Sequence, residues 1–485
     1  MKRSAKIGVA ALLLVSPLAA AAQQDVQLLT FDEALTITCT NNPALKAAAY
    51  EERAAEQERR AAIGLRMPQI NVAGAYTYLG KDIGADLNDL KGPVNKLAGD
   101  ILNSGIVPPE LIPSIQGLIG PILGADWFLK VQDRSLGFVG GEVTVPIYLG
   151  GKINAANRAA RISQQTAEAA GAQTRNALVS ELVERYFGLA RAAQVVEVRR
   201  EVVEGVRSHL RDAAALEENG MIAYSERLYV EVKMAEAERE LENAKLQLQT
   251  ISSALKNTLG TGEGAYRPIT SMFVLTQLED AAYYKALAAD RNPLLTQVEL
   301  KSRLAEEGVK ARRSDFLPQV VAMGGASFYN YQVTGILPRW AVGVGVNLKI
   351  FDGLNREYKY SAARQTVRRV DAMRDKAAED IAVLVEKLYN QLNNYANQIV
   401  SIDSSIAFAE EYLKVKNAAF LEGMSSSSDL IDAELNLAKV RTERMQAAFN
   451  YDLTLAQLLE AAGISDEFTS YIRRADARRI AFEQK

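Results

Sequence analysis

Leu421-Glu422-Gly423-Met424-Ser425-Ser426-Ser427-Ser428-Asp429-Leu430-Ile431-Asp432 lies between two long segments that both read as helix. Gly423 is the residue in this stretch that takes a left-handed backbone without steric cost, as a helix end commonly requires. The serines after it suit the cap of a new helix. Asp429 and Asp432 fall in the first turns of that helix, three residues apart and so on one face. The stretch therefore reads as a helix–turn–helix tip. A second stretch of the same form, Glu218-Asn219-Gly220-Met221-Ile222-Ala223-Tyr224-Ser225-Glu226, lies 203 residues earlier, counted from Gly220 to Gly423.

Working outward, no proline occurs from Lys152 to Glu218. These roughly 67 residues predict a helix on the order of 100 Å long. Ile222 to Leu259 returns as helix, with Leu241, Ala244, Leu248, Ile251 and Leu255 stepping by three and four as a coiled-coil seam does. No proline follows Pro338, so the second hairpin is equally uninterrupted. Upstream, Phe31 to Arg66 predicts helix, with Thr30 or Asp32 as its cap, a break at Asn42-Pro43 and an end before Pro68. Gln69 to Leu79 then alternates, with Ile70, Val72, Gly74, Tyr76 and Tyr78 on one face. That is the pattern of a lipid-facing strand with aromatics at the membrane boundary. Alternation recurs at Ser135 to Ile147, Val320 to Tyr331 and Trp340 to Ile350.

The halves of the chain repeat one another. Asn42-Pro43 returns as Asn292-Pro293 and Pro68-Gln69 as Pro318-Gln319, both 250 residues on. Gly150, Tyr186 and Ser225 return as Gly353, Tyr389 and Ser428, each 203 residues on. The difference of 47 residues falls between the paired strands of the first half, in the proline-rich stretch Lys81 to Gln132. A tandem repeat that keeps register this long is a strong signal. It divides the chain into a first repeat, 23–260, with its insertion 81–132, and a second, 261–485. The insertion predicts an elaborated loop with short helices, whose aliphatic residues pack on themselves or on neighbours.

Residues 1–22 have the layout of a secretory signal peptide: Lys2, Arg3 and Lys6, an apolar run from Ile7 to Val15, then the small residues Ala19 to Ala22. Over 485 residues the formal net charge is -3, which gives no nucleic-acid footprint. One cysteine, Cys39, excludes an internal disulfide framework. The one histidine, His209, reads as a helix-surface residue, and no metal centre, cofactor site or nucleophile–base pair is in view. The chain does not read as an enzyme. An exported chain without a long apolar helix crosses a membrane as a closed β-barrel or not at all. Four strands cannot close a barrel, and the long helices cannot bury their seams alone, so the pattern asks for an oligomer.

On the signal peptide, the repeated Asn-Pro, the strand pair before each long helix and the two glycine tips, the chain resembles the TolC family of outer membrane channels. The resemblance implies a mostly α protein with a membrane β-barrel. Three copies, each giving four strands, would close a twelve-stranded barrel in the outer membrane, continued through the periplasm by a barrel of coiled-coil helices. It implies a passive channel docked to a periplasmic adaptor and an inner-membrane transporter, serving small-molecule efflux or, alternatively, type I protein secretion.

The family's gate acids, six and nine positions after the second turn glycine, fall on Asp429 and Asp432, and Glu226 matches the acid of the first tip. Gly220, Met221, Gly423 and Met424 match the adaptor-docking turns. The tyrosine and arginine that lock the gate in some members are replaced here by Phe420 and Ser425, so that lock does not transfer. By strand order the insertion lies at the extracellular end, where it would cap or narrow the mouth. The competing reading is a periplasmic coiled-coil protein that spans no membrane; the alternating strands weigh against it.

Overall fold

The computed structural model describes residues 26–262, 264–333 and 338–480; the predicted signal peptide, 1–22, lies outside them. The first repeat runs β1 (Val26–Leu29), α1 (Phe31–Asn41), α2 (Pro43–Gly64), β2 (Gln69–Tyr78), β3 (Ile83–Asp86), α3 (Lys91–Asn103), α4 (Ile112–Gly124), β4 (Phe128–Gln132) and β5 (Ser135–Leu149). Its long hairpin is α5 (Lys152–Glu218) and α6 (Tyr224–Leu259). The second repeat runs β6 (Ala265–Pro268), β7 (Met272–Leu275), α7 (Ala281–Arg291), α8 (Pro293–Arg313), β8 (Gln319–Tyr331) and β9 (Trp340–Asn347). The hairpin of α9 (Asn355–Leu421) and α10 (Ser427–Ala461) follows, then α11 (Phe468–Ile472) and β10 (Ala477–Ile480).

The duplication keeps register in its longest elements. α5 and α9 are both 67 residues long, and 203 separates them at each end. α1 and α7 are both 11 residues long, 250 apart. The repeated Asn-Pro also has a physical cause. Proline forbids the helix from running straight through the break, and the asparagine before it takes up the loose backbone. Asn42 accepts the Ala44 N–H at 2.8 Å and donates to the Thr258 carbonyl at 2.8 Å. Asn292 accepts the Leu294 N–H at 2.9 Å and donates to the Ala461 carbonyl at 2.8 Å. Each buried amide thus pins a helix break to the end of the returning helix of its own repeat.

The chain forms two compact units that cut across both repeats. One holds the residues up to Arg53, Thr166–Glu299 and those from Ala372 onward; the other holds Ala54–Gln165 and Leu300–Asp371. In the first unit, Thr30 and Glu33 close a reciprocal capping box at the start of α1. The core gathers Phe31, Tyr186, Phe187, Phe273 and Phe468, with Phe31 and Phe468 centred 5.2 Å apart. Tyr186 is fully buried; its hydroxyl donates to the Leu29 carbonyl at 2.6 Å and accepts the Thr270 N–H at 3.0 Å. Short strand pairs, β1 with β6 and β7 with β10, sit beside this core. The seam predicted on α6 is present: Leu241, Ala244 and Leu255 are buried, and Leu248 and Ile251 pack against the core.

The second unit is built on an antiparallel sheet in the order β2-β5-β8-β9, so β2 and β9 are its edges. Ile70 lies opposite Val143, Val143 opposite Gly324, and Gly324 opposite Val342, which puts the predicted apolar residues on one face. Ile70, Trp340 and Val342 are 72%, 67% and 76% exposed on it. Gln69, Asn71, Glu142 and Thr144 line the other, and Glu142 is the one charged residue on the four strands. β9 stops at Asn347, three residues short of the predicted Ile350, where the chain bends toward α9. That bend places Gly353 and Leu354 at φ 70° and 64°, as Gly150 and Gly151 stand at 63° and 87° before α5. Leu354 is strained there, and Arg356 steadies the bend by donating to the Lys349 and Ile350 carbonyls at 2.6 and 3.0 Å.

The insertion carries the short helices expected of it, α3 and α4. Pro93 and Pro113 sit in the first turns of α3 and α4, where a proline removes no helical hydrogen bond. β3 and β4 pair beneath them. Within the chain its aliphatic residues are at most half-buried: neither α3 nor α4 fully buries a residue. Among the described residues no helix is long and apolar enough to cross a membrane.

Candidate functional site at the helical tips

Both predicted turns form by the same backbone device. Gly220 and Gly423 stand at φ 72° and 74°. At the first turn the Gly220 and Met221 N–H groups donate to the Glu217 and Leu216 carbonyls, each at 2.8 Å. At the second, Gly423 and Met424 donate to Phe420 and Ala419 at 3.0 and 2.8 Å. This paired closure satisfies the last carbonyls of α5 and α9 and needs glycine at its left-handed position. Met221 and Met424, 67% and 72% exposed, crown the two turns. Ser426 caps α10 by accepting the Asp429 N–H at 3.2 Å; Ala223 at the start of α6 offers no such side chain.

The acids of the two tips differ in their surroundings. Asp429 accepts from Lys416 Nζ at 3.0 Å and from the Ser425 hydroxyl at 3.2 Å. The Lys416 ammonium, with Ser425 second, holds its carboxyl below the usual carboxylate range. Asp432, one turn on, is exposed. Glu226 is half-buried in the first turn of α6. By the 203-residue offset Glu226 is the counterpart of Asp429, and Ala213 is the counterpart of Lys416, so the first tip lacks the lysine. Its cross-turn ion pair is made instead by Arg227, which joins Glu217 and Glu231. The structure brings Lys416, Ser425 and Asp429 together; among the described residues no hydrogen bond joins Glu226 to Asp429 or Asp432.

Behind the turns lies a small core of Val202, Val206, Ala213, Val230, Met234 and Ile431. His209 belongs with it, which corrects its reading as a surface residue: it is 4% exposed. Residues 202, 206, 209 and 213 step by four, three and four, so His209 occupies a seam position. Its ring meets Phe420 edge to face at 4.4 Å, and neither ring nitrogen has a hydrogen-bond partner. Burial pushes its pKa below the ordinary imidazole value, against the pull of Asp212 and Glu226. The residues that replace the family lock therefore both have contacts: Phe420 is buried against His209, and Ser425 supports Asp429. One helical turn before His209, the Glu434 carboxylate sits against Gly205, where a side chain would collide with it. Burial raises Glu434 to about 7.

Sequence reasoning missed Lys416 and the packed Phe420. A signal for Lys416 exists: it stands seven residues before Gly423 and Asp429 six after, so the antiparallel helices bring them level.

A family profile described as "Outer membrane efflux protein" matches residues 130–261 and 284–464. The chain is 26% identical over 339 residues to the cobalt-zinc-cadmium resistance protein CzcC of Cupriavidus metallidurans, covering 67% of this chain and 75% of that one. It is 25% identical over 214 residues to the alkaline protease secretion protein AprF of Pseudomonas aeruginosa; this match takes in 41% of this chain and 43% of AprF, less than half the relative's length. The fold matches the crystal structure of the CmeC outer membrane channel of Campylobacter jejuni with a TM-score of 0.69, at 14% identity, over 91% of this chain and 88% of that one.

Proposed function

The chain belongs to the outer membrane efflux protein family, whose place is the outer membrane, and on that premise we propose that it is a passive export channel gated at its two helical tips. Three copies contribute four strands each to one twelve-stranded barrel, with the apolar sheet face toward lipid and the Gln69, Asn71 and Glu142 face toward water. The observation that carries this reading is the sheet itself. Its order leaves β2 and β9 as unpaired edges, and its exposed valines and aromatics suit no aqueous surface. Within a bilayer an open edge costs several kcal/mol per unpaired backbone group, so the edges pair between copies. The chain performs no chemistry on its cargo and holds no cofactor.

The tips receive the cargo. A periplasmic adaptor docks on the turns at Gly220, Met221, Gly423 and Met424, and an inner-membrane transporter supplies the energy. Around a three-fold axis, Asp429 and Asp432 form rings of carboxylates at a narrow mouth, with Glu226 in the neighbouring tip. Like charges held close there attract cations and oppose anions. Lys416 neutralises part of the Asp429 ring from the same chain, which leaves Asp432 as the freer charge.

The cargo is a small solute or ion, by the longer of the two matches, to a protein named for metal resistance. The AprF match favours a second reading, secretion of a polypeptide. A deletion strain separates the two: raised sensitivity to toxic metals or drugs supports the first, and loss of an exported protein from the medium supports the second. For the gate, replacing Asp429 and Asp432 by alanine raises conductance and weakens block by divalent cations in planar bilayers. Unchanged block removes the acid rings from the mechanism.

A further inference from the structure

The helix α4, Ile112–Gly124, carries no charged residue, and its polar side chains are Ser114 and Gln116 alone. Its large apolar side chains share one broad face, two stripes side by side, with Ser114, Gly117, Gly120 and Pro121 opposite. Ile112, Ile115, Ile119 and Leu123 are half-buried by their own chain. Leu118 and Ile122 on the other stripe are 71% and 59% exposed. A helix face this uniformly apolar belongs against a partner surface rather than at a water boundary. Its 13 residues reach about 20 Å, too short to span a bilayer. It carries no basic residue of the kind that holds an interfacial helix at lipid headgroups, and the one tryptophan beside it, Trp127, donates its indole N–H back to the Ile122 carbonyl at 2.8 Å.

The sheet order points to where a cover would come from. β2 is an edge strand, and the insertion begins where β2 ends. That end is opposite the one at which β5 and β9 lead into the long helices, and so it faces the cell exterior. In the trimeric barrel proposed above, on which this inference rests, β2 borders the next copy. We propose that the α4 helices of the three copies meet over the outer mouth of the barrel, open stripe against open stripe, as an apolar plug. The occupant of the Leu118–Ile122 surface is a second copy of the same chain, and the channel has an outer restriction besides its periplasmic gate.

Cysteine crosslinking of the full-length protein tests this. Cys39 is the one native cysteine and is exposed, so Cys39→Ser supplies the background. Oxidation of the purified protein is expected to give covalent dimers with Leu118→Cys and with Ile122→Cys, and none with Lys96→Cys. Trimer formation is scored separately, by mobility on unboiled gels. Trimers that give no crosslink at either position overturn the plug. Labelling of Leu118→Cys by a lipid-phase reagent, in place of crosslinking, identifies lipid as the occupant and also overturns it. A parent that is not trimeric overturns the trimeric barrel instead. As a second readout, replacing residues 91–124 by a short Gly-Ser linker in the Asp429→Ala, Asp432→Ala background raises single-channel conductance by roughly twofold or more. Unchanged conductance overturns the restriction.

Discussion

Lys416 reaches across the second turn to Asp429 at 3.0 Å, while Ala213, the residue equivalent to Lys416, leaves Glu226 of the first tip without a lysine. Exposed pairs of this kind add little to the stability of a fold. Their effect at a narrow mouth is on charge. Lys416→Gln frees the Asp429 carboxylate and strengthens divalent block, whereas Asp429→Asn weakens it. Block measured against ionic strength checks both, since the difference between the variants shrinks as salt screens the mouth.

Asn42 and Asn292 each pin a helix break to a returning helix, and each amide is buried. Replacing either by alanine leaves a buried carbonyl without its donor and costs roughly 1–3 kcal/mol. The two sites share no partner, so the losses add. Asn292→Asp is worse than Asn292→Ala near neutral pH, because a carboxylate then faces the Ala461 carbonyl. Heat-driven dissociation of the detergent-solubilised protein measures the series.

His209 is buried without a partner for either nitrogen, and its pKa lies below the ordinary value. The unfolded chain takes up a proton near pH 6.5, and the folded chain resists it until lower pH. The stability tied to His209 is therefore intact above about pH 6.5 and is lost as pH falls through the window below. His209→Phe removes that loss. Its melting temperature falls less than the parent's between pH 7.5 and pH 5.

Glu434 has the opposite sense. Its folded pKa of about 7 lies above the unfolded value, so the folded chain holds a proton that the unfolded chain has released. Stability falls as pH rises from about 4.5 to 7 and is level above that. Glu434→Gln removes the fall and raises the melting temperature at pH 8 relative to pH 4. An unchanged difference between the two pH values would falsify this account of the carboxylate at Gly205.

Much of this molecule is legible in its sequence because the signals are local. Gly220 and Gly423 mark turns that need a left-handed residue, and the alternation from Ile70 to Tyr78 states a strand and its lipid face. Register carries the rest of the repeat, since Asn42 and Asn292 do identical work in unlike surroundings. What escaped depends on partners distant in sequence. Val26–Leu29 becomes a strand by pairing with Ala265–Pro268, and no pattern in four residues announces that. Lys416 matters through a residue on another helix. His209 reads as a surface residue by its chemistry, while the spacing of Val202, Val206 and Ala213 places it on the buried seam.

The equal lengths of α5 and α9 make the pair a gauge. One extra heptad in α5 alone would carry Gly220 about 10 Å along its axis while Gly423 stayed in place. His209 would then face a different turn of its partner and lose Phe420. Insertions and deletions in these helices are thus tolerated when both copies change by the same whole number of heptads.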